Sequence, residues 1–129
     1  MVKTSLVETD IVDGRRLVAA LNQINSHFKV HAAFWLYRPE VLEWRFMIAT
    51  PLVDQRGPFS TYADLQGILR TIAPPLSISM QDISVVSPND KLVKVLKRAA
   101  QIPPGALGVR FGRSRLEDTY VEDAYVYRV

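Results

Sequence analysis

The sequence contains no cysteine. Disulfide frameworks, cysteine-ligated zinc, iron–sulfur clusters and a cysteine nucleophile are therefore all excluded. Histidine is scarce as well, since the chain has only His27 and His31. A serine–histidine triad would have to use one of them, and no nearby serine sits on the glycine-flanked turn that exposes such a nucleophile. We interpret both histidines as structural or solvent-exposed, and we predict neither a catalytic residue nor a transition-metal site.

Glycine is also sparse, and its positions do not form a phosphate-binding loop. A dinucleotide loop needs G-x-G-x-x-G between a strand and a helix, and a P-loop ends in Gly-Lys followed by Ser or Thr. Gly105, Gly108 and Gly112 instead follow a proline pair and lead into a predicted strand. Turn and close-packing roles account for them, so we predict no nucleotide or other cofactor.

Long apolar runs are missing. The longest, such as AAFWL at residues 32–36, fall far below the roughly 20 residues that a membrane-spanning helix needs. The first 16 residues contain no apolar stretch of signal-peptide length, because Glu8 and Asp10 interrupt the few apolar positions. We therefore expect a soluble cytoplasmic protein that has no membrane partner.

Prolines and glycines divide the chain into segments of the length of single helices and strands. At 129 residues and 48% hydrophobic content one core is expected, so residues 1–129 are predicted to form a single domain. The periodicities of the segments predict three helices (13–28, 62–73 and 88–101) and five strands (30–37, 44–50, 78–87, 106–111 and 119–129).

Local signals refine these elements. Thr61 and Asp64 match a capping box, and Ser87 before a proline matches the start of the third helix. The continuous apolar core at residues 83–86 is typical of a parallel strand buried on both faces. Direct strand connections favour antiparallel hairpins, whereas strand–helix–strand passages favour parallel neighbours. We predict an α+β fold in which three helices pack on a mixed five-stranded sheet, in the order αββαβαββ.

Charge is segregated near the end of the chain. A positive block without any acidic residue contains Lys91, Lys94, Lys97, Arg98, Arg110, Arg113 and Arg115. A negative block follows directly and contains Glu117, Asp118, Glu122 and Asp123. The first four basic residues lie on one side of an amphipathic helix, opposite its leucines and valines, as on the solvent face of any helix packed on a sheet.

If the arginines lie near that helix, the seven basic residues form one surface that nucleic acid can bind. No helix-turn-helix or other nucleic-acid motif is present, and no aromatic residues are interleaved with the positive charges. The acidic residues that follow can equally well neutralise the arginines. A nucleic-acid-associated module is therefore an alternative function, with the positive block as its candidate site.

The carboxylates offer a second alternative, a metal-dependent hydrolase or nuclease. Such enzymes gather acidic residues and a lysine at strand ends to hold Mg²⁺ and orient a water molecule. Asp82, with the acidic residues of the last hairpin, is the candidate set, but the usual motif of acid, any residue, lysine is absent. Charges that keep an edge strand soluble explain the acidic residues of the last strand equally well.

The last predicted strand is rich in tyrosine. Tyr120, Tyr125 and Tyr127 are candidate interface residues, because a terminal strand at the edge of a sheet can pair with a second copy or with a partner. Our leading hypothesis is a binding protein without catalysis, whose partner is another protein chain or its own copy in a homodimer.

Overall fold

The computed structural model describes residues 3–23, 28–102 and 107–129. Its α-helices are α1 (Glu8–Gln23), α2 (Leu52–Arg56), α3 (Pro58–Leu69) and α4 (Lys91–Ala99). Its strands are β1 (Ala32–Arg38), β2 (Glu43–Ala49), β3 (Ile83–Val86), β4 (Val109–Leu116) and β5 (Thr119–Arg128), with a 3₁₀ turn at Met80–Asp82. The predicted α+β class and mixed five-stranded sheet are confirmed, but α2 is an additional helix that the sequence pattern did not predict.

The sheet has the strand order β3-β2-β1-β5-β4. Both predicted hairpins, β1–β2 and β4–β5, are antiparallel, and β5 also pairs antiparallel with β1. The pair β2–β3 is parallel, as the helical connection between them predicts. The sheet therefore has two edges, β3 on one side and β4 on the other.

Two strand positions differ from the prediction. β3 lies at an edge, although its continuous apolar sequence suggested a central strand. Ile83 and Val85 are buried because helix α3 covers them, so burial of this strand comes from a helix rather than from two flanking strands. β5 was expected at an edge and instead lies inside the sheet, between β1 and β4.

Helices cover both faces of the sheet. On one face, α1 and α3 contribute Leu17, Leu21 and Leu65 to a core that includes Trp35 and Phe46. On the opposite face, α4 contributes Val93 and Leu96 to a second cluster, formed with small and branched residues of the central strands. The alternation of side chains along each strand thus supplies two separate hydrophobic cores.

Three of the helices begin at positions other than those predicted. α3 begins at Pro58, so Thr61 lies inside it and its hydroxyl donates to the carbonyl of Gly57, which removes the predicted capping box. α4 begins at Lys91, where the Asp90 carboxylate accepts a hydrogen bond from the amide of Leu92. A proline therefore outweighs the hydroxyl signal in α3, and the Asp90 carboxylate outweighs the serine–proline signal in α4.

Helix α1 begins earlier than predicted, at Glu8, and Asp10 accepts a hydrogen bond from the amide of Val7 at 3.1 Å. The predicted positions Ile24 and His27 lie outside the described residues, as do the chain breakers at 103–105. In the described part of the chain, no helix combines the length and apolar character needed to cross a bilayer.

Candidate functional site

Helix α4 and the β4–β5 hairpin are neighbours, joined by two exposed ion pairs. The Lys91 ammonium lies 2.7 Å from Asp118, and the Arg98 guanidinium forms two hydrogen bonds, of 2.6 and 2.9 Å, with Glu117. The hydrogen bond from Arg98 lowers the pKa of Glu117, and that from Lys91 lowers the pKa of Asp118. The first two acidic residues of the negative block are thus directed at the positive helix.

The other two acidic residues contact arginines of β4. Arg110 donates two hydrogen bonds, of 2.8 and 2.7 Å, to Asp123, and that contact raises the pKa of Arg110. Arg113 lies 3.8 Å from Glu122, which is too far for a hydrogen bond, and its side chain is 85% exposed. Glu122 has a shorter contact elsewhere, since it accepts a hydrogen bond of 2.7 Å from the Tyr120 hydroxyl.

The positive block is therefore largely neutralised by the negative block. The structure brings the helix and the hairpin together, which is the geometry that a polyanion surface requires, but each of the four acidic residues pairs with one basic residue. Among the described residues, Lys94, Lys97 and Arg115 have no ion-pair partner within 4.0 Å. A nucleic-acid role for the seven basic residues stays a prediction, with only these three charges free of carboxylates.

The carboxylates proposed for a metal site lie far apart. Asp82 is buried beside β3, where it accepts hydrogen bonds from the amide and hydroxyl of Ser79. Three inter-strand spacings, about 14 Å, separate β3 from β5. Combining Asp82 with the acidic residues of the last hairpin is therefore wrong, and no group of three or more His, Asp or Glu in the described ranges is placed to hold a metal ion.

The tyrosines of β5 are in two different environments, since Tyr125 and Tyr127 are partly buried and pack against each other whereas Tyr120 is exposed. Tyr127 packs against Phe46 and Tyr125, and its hydroxyl donates to the carbonyl of Ile11 at 2.7 Å. Tyr120 is 52% exposed. Edge pairing through residues 124–126 of β5 is wrong, because β1 and β4 pair with the two sides of the strand there. An interface role for Tyr120 through its exposed ring stays a prediction.

The largest group of buried polar residues ties α1 to the segment before β3. Asp10 and Asp13 are only 3% and 6% exposed. Asp10 accepts hydrogen bonds from Lys3, Ser77 and the amide of Val7. Asp13 accepts from Arg16 and from the amide of Ser77 at 2.8 Å.

Each of these carboxylate oxygens already has a protein donor, so the group holds the fold together and leaves little capacity for a ligand. Burial alone would raise the pKa of Asp13, but the hydrogen bonds from Ser77 and Arg16, together with the charge of Arg16, hold it below its usual value. His31 is exposed and lies outside this group.

The two sheet edges differ in how their backbone groups are used. At β3, the amide of Val85 donates to the Tyr62 hydroxyl at 3.0 Å, and Arg45 donates to the carbonyl of Ile83 at 2.9 Å. At β4, the described residues outside the hairpin make no backbone hydrogen bond to the strand. In an antiparallel pair every second residue of an edge strand directs its N–H and C=O outward, so β4 offers hydrogen-bonding groups on its outer side. The strand is irregular in its middle, where Arg113 has a positive φ of 44° and the Gly112 carbonyl accepts a hydrogen bond from the Ser114 hydroxyl at 3.1 Å.

A groove of about 720 Å³ lies beside β4. It is lined by residues of the N-terminal segment and of strands β1, β2, β4 and β5: Thr4, Ser5, Leu6, Tyr37, Trp44, Arg110, Gly112, Arg113, Glu122 and Asp123. The Arg110 guanidinium lies over the Trp44 ring at 5.6 Å, and Tyr37 packs against Trp44 at 5.4 Å. The groove therefore has an aromatic wall and a loosely held cation, Arg113, at one side.

The open edge of β4 and the groove beside it were not predicted from the sequence. The sequence signal is the run VRFGRSRL, in which three arginines, a serine and a glycine are mixed with only three apolar residues, a composition typical of an exposed edge strand. The predicted strand ends at residue 111, whereas β4 continues to Leu116 and the turn is Glu117–Asp118. Comparisons of the chain with known protein-family models, with curated proteins and with solved structures give no match.

Proposed function

We propose that this protein works by binding another protein chain, an extended segment of which adds as a strand to the outer edge of β4. The observation that supports this most directly is the contrast between the sheet edges. At β3, Tyr62 and Arg45 hydrogen-bond with the outward amide of Val85 and the outward carbonyl of Ile83, whereas the eight residues of β4 are paired on one side only among the described residues. Strand addition to such an edge uses main-chain hydrogen bonds for affinity and side-chain pockets for specificity.

A second copy of this chain fits the β4 edge less well than a different protein. When two β4 strands pair about a two-fold axis near Gly112, arginines of the two copies lie opposite or diagonal to one another. Like charges in such positions destabilise a strand pair. The arginines thus act against self-pairing at this edge, in the way that charged residues protect edge strands in general.

Nucleic acid fits the described surface less well too. Binding to phosphates requires several free cations, and Lys91, Arg98 and Arg110 are held by hydrogen bonds to carboxylates that a phosphate would have to displace. The uncommitted lysines, Lys94 and Lys97, lie on α4 rather than on the open strand edge. A nucleic-acid ligand and a protein ligand are therefore expected to contact different elements.

The test is selection from a phage-displayed library of random decapeptides, followed by mapping of the selected peptides on isotope-labelled protein by NMR. We expect backbone amides of β4 to shift and to exchange more slowly with solvent, while those of β3 stay unchanged. The β3 edge is the internal control, because its outward groups are already used. Failure to select any peptide, or shifts confined to elements other than β4, would refute the proposal.

Two further measurements distinguish the alternatives. Sedimentation equilibrium at several concentrations shows whether a dimer forms, and shifts in β4 that grow with concentration alone would favour a second copy. Titration with a short duplex DNA and with a single-stranded RNA tests the hypothesis that the protein binds nucleic acid. Shifts centred on Lys94 and Lys97, lost at high salt, would favour nucleic acid over a protein partner.

A further inference from the structure

Strand β4 is positively charged along its whole length. Arg110, Arg113 and Arg115 belong to it, and no acidic residue lies between Leu107 and Leu116. A segment that pairs with this strand brings its own side chains next to these arginines, because cross-strand neighbours lie within about 5.5 Å of each other. The charge of the incoming segment therefore affects how well it binds.

The three arginines differ in how free they are. Arg110 is held on two sides, by its paired hydrogen bonds with Asp123 and by its position over Trp44. Arg115 is exposed and has no ion pair among the described residues. Arg113 is 85% exposed, compared with 50% for Arg110, and its acidic contact among the described residues, at 3.8 Å, is longer than a hydrogen bond.

The contact between Arg113 and Glu122 is long. The Tyr120 hydroxyl donates to Oε2 of Glu122 at 2.7 Å, whereas the Arg113 guanidinium lies 3.8 Å from Oε1 and forms no hydrogen bond with it. The matched contact elsewhere on the hairpin, between Arg98 and Glu117, uses two hydrogen bonds of 2.6 and 2.9 Å. Compared with Arg98, Arg113 has donors available for a further carboxylate.

The groove provides space beside this cation. At Gly112, a side chain built on the backbone would meet no atom within 4 Å, so the strand surface is open at this point. A strand added to β4 would run about 4.8 Å from it and direct alternate side chains to the groove face. A side chain in that position reaches the β4 side of the groove, beside Arg113 and near Glu122 and Asp123, whose carboxylates already accept hydrogen bonds from Tyr120 and Arg110.

On the basis of the proposed function, we infer that the segment bound by β4 is acidic and that the groove accepts one of its Asp or Glu side chains, with Arg113 as the cation that pairs with the carboxylate. The planar guanidinium can hold a carboxylate through two hydrogen bonds, which an ammonium group cannot do. The neighbouring Arg115 adds a second positive charge along the same strand, so a segment with two acidic residues on alternate positions fits best.

The experiment uses the peptides selected by phage display. We expect those that map to β4 to be enriched in Asp and Glu over Lys and Arg. For one such peptide, Arg113→Glu should weaken binding by about tenfold or more, the loss expected for a charged hydrogen bond. Arg113→Gln should have an intermediate effect, and replacing the peptide's acidic residues by Gln or Asn should remove the difference between the variants.

The matched control is Lys97→Glu, which changes the net charge by the same amount on the exposed face of α4. It should leave the affinity almost unchanged if Arg113 acts locally, and circular dichroism would confirm that all variants are folded. Peptides that bind β4 without acidic enrichment, or an equal effect of Lys97→Glu and Arg113→Glu, would refute the acidic segment but leave strand addition standing. Failure to obtain any β4-binding peptide would refute both.

Discussion

Gly14 offers a sharp test of the packing between α1 and β5. It lies in the middle of α1 and is buried against the ring of Tyr127. A Cβ atom at this position would lie 2.7 Å from Cζ and 2.9 Å from Cε2 of Tyr127, and closer still to the hydroxyl oxygen. Real Cβ atoms do not approach other atoms this closely, so Gly14→Ala has to displace the tyrosine or the helix.

The expected size of the effect follows from three contributions. Alanine is favoured over glycine inside a helix by about 1 kcal/mol. Overpacking costs about 1–3 kcal/mol. Displacing Tyr127 also weakens its hydrogen bonds with the Ile11 carbonyl and with Trp35, at about 1 kcal/mol each. We expect Gly14→Ala to lower the free energy of unfolding by about 2–4 kcal/mol.

The assay is equilibrium unfolding in urea, followed by the fluorescence of the buried Trp35. Gly67→Ala is the matched control, because Gly67 lies in α3 and a Cβ there would meet no atom within 4 Å. That variant should be more stable than the parent by about 0.5–1 kcal/mol. The two glycine-to-alanine substitutions are thus expected to change the free energy of unfolding in opposite directions.

The double variant identifies the cause. In the Tyr127→Val background the ring is gone, so Gly14→Ala should become neutral or stabilising. A Gly14→Ala variant that is at least as stable as the parent protein would refute this explanation. Equal destabilisation with and without Tyr127 would also refute it, because the contact between Gly14 and Tyr127 would then not be the cause.

Three further predictions concern ionisable residues. Because the folded state lowers the pKa of Asp13, its stabilising contribution should be present above about pH 4 and lost as the pH falls, so Asp13→Asn should flatten the pH dependence of unfolding between about pH 5 and 2. Burial raises the pKa of Tyr127, so the contribution of its hydroxyl to stability should be lost above about pH 10, where tyrosine in the unfolded chain ionises. Urea unfolding from neutral to alkaline pH should show the stability difference between the parent and Tyr127→Phe shrinking in that range. Arg98→Ala should hardly change the melting temperature at low or high salt, since its pair with Glu117 is exposed, and a large drop would contradict this.

The strands and hairpins were predictable because their signals are local. In β2, Trp44, Phe46 and Ile48 alternate with Arg45 and Met47, and the structure buries the first set against α1 and α3. Such alternation depends on the geometry of a single strand, so it can be recognised without knowing the neighbours. Antiparallel pairing then follows from the short connections.

Strand order was not predictable in this way. A strand such as β3 shows the same continuous apolar sequence whether strands or a helix cover it, and α3 provides that cover through Tyr62 and Leu65. The last strand has acidic residues that suggested an edge, but they pair with arginines of β4 instead of facing solvent alone. Which strand is central depends on long-range packing that no window of sequence contains.

The candidate site was only partly predictable for a similar reason. The positive and negative blocks were visible as compositions, but the pairing of Lys91 with Asp118 and of Arg98 with Glu117 depends on how the hairpin turn meets α4. Arg113 lies 3.8 Å from Glu122, whose carboxylate accepts its short hydrogen bond from Tyr120 instead. Charge counts therefore identified the region, and only the geometry showed which of its charges are held by hydrogen bonds to carboxylates.

The interior position of β5 has a consequence for the order in which the sheet is assembled. The β1–β2 hairpin closes within a short stretch of chain. By contrast, 92 residues separate Trp35 of β1 from Tyr127 of β5, whose hydroxyl accepts a hydrogen bond from the Trp35 indole. Until residues 119–128 are available, β1 presents Phe34 and Trp35 beside an unpaired edge, an arrangement that favours association between incomplete chains. A chain truncated before Thr119 should therefore aggregate rather than fold to a smaller sheet, and the slow step of folding is expected to be the docking of the β4–β5 hairpin onto β1.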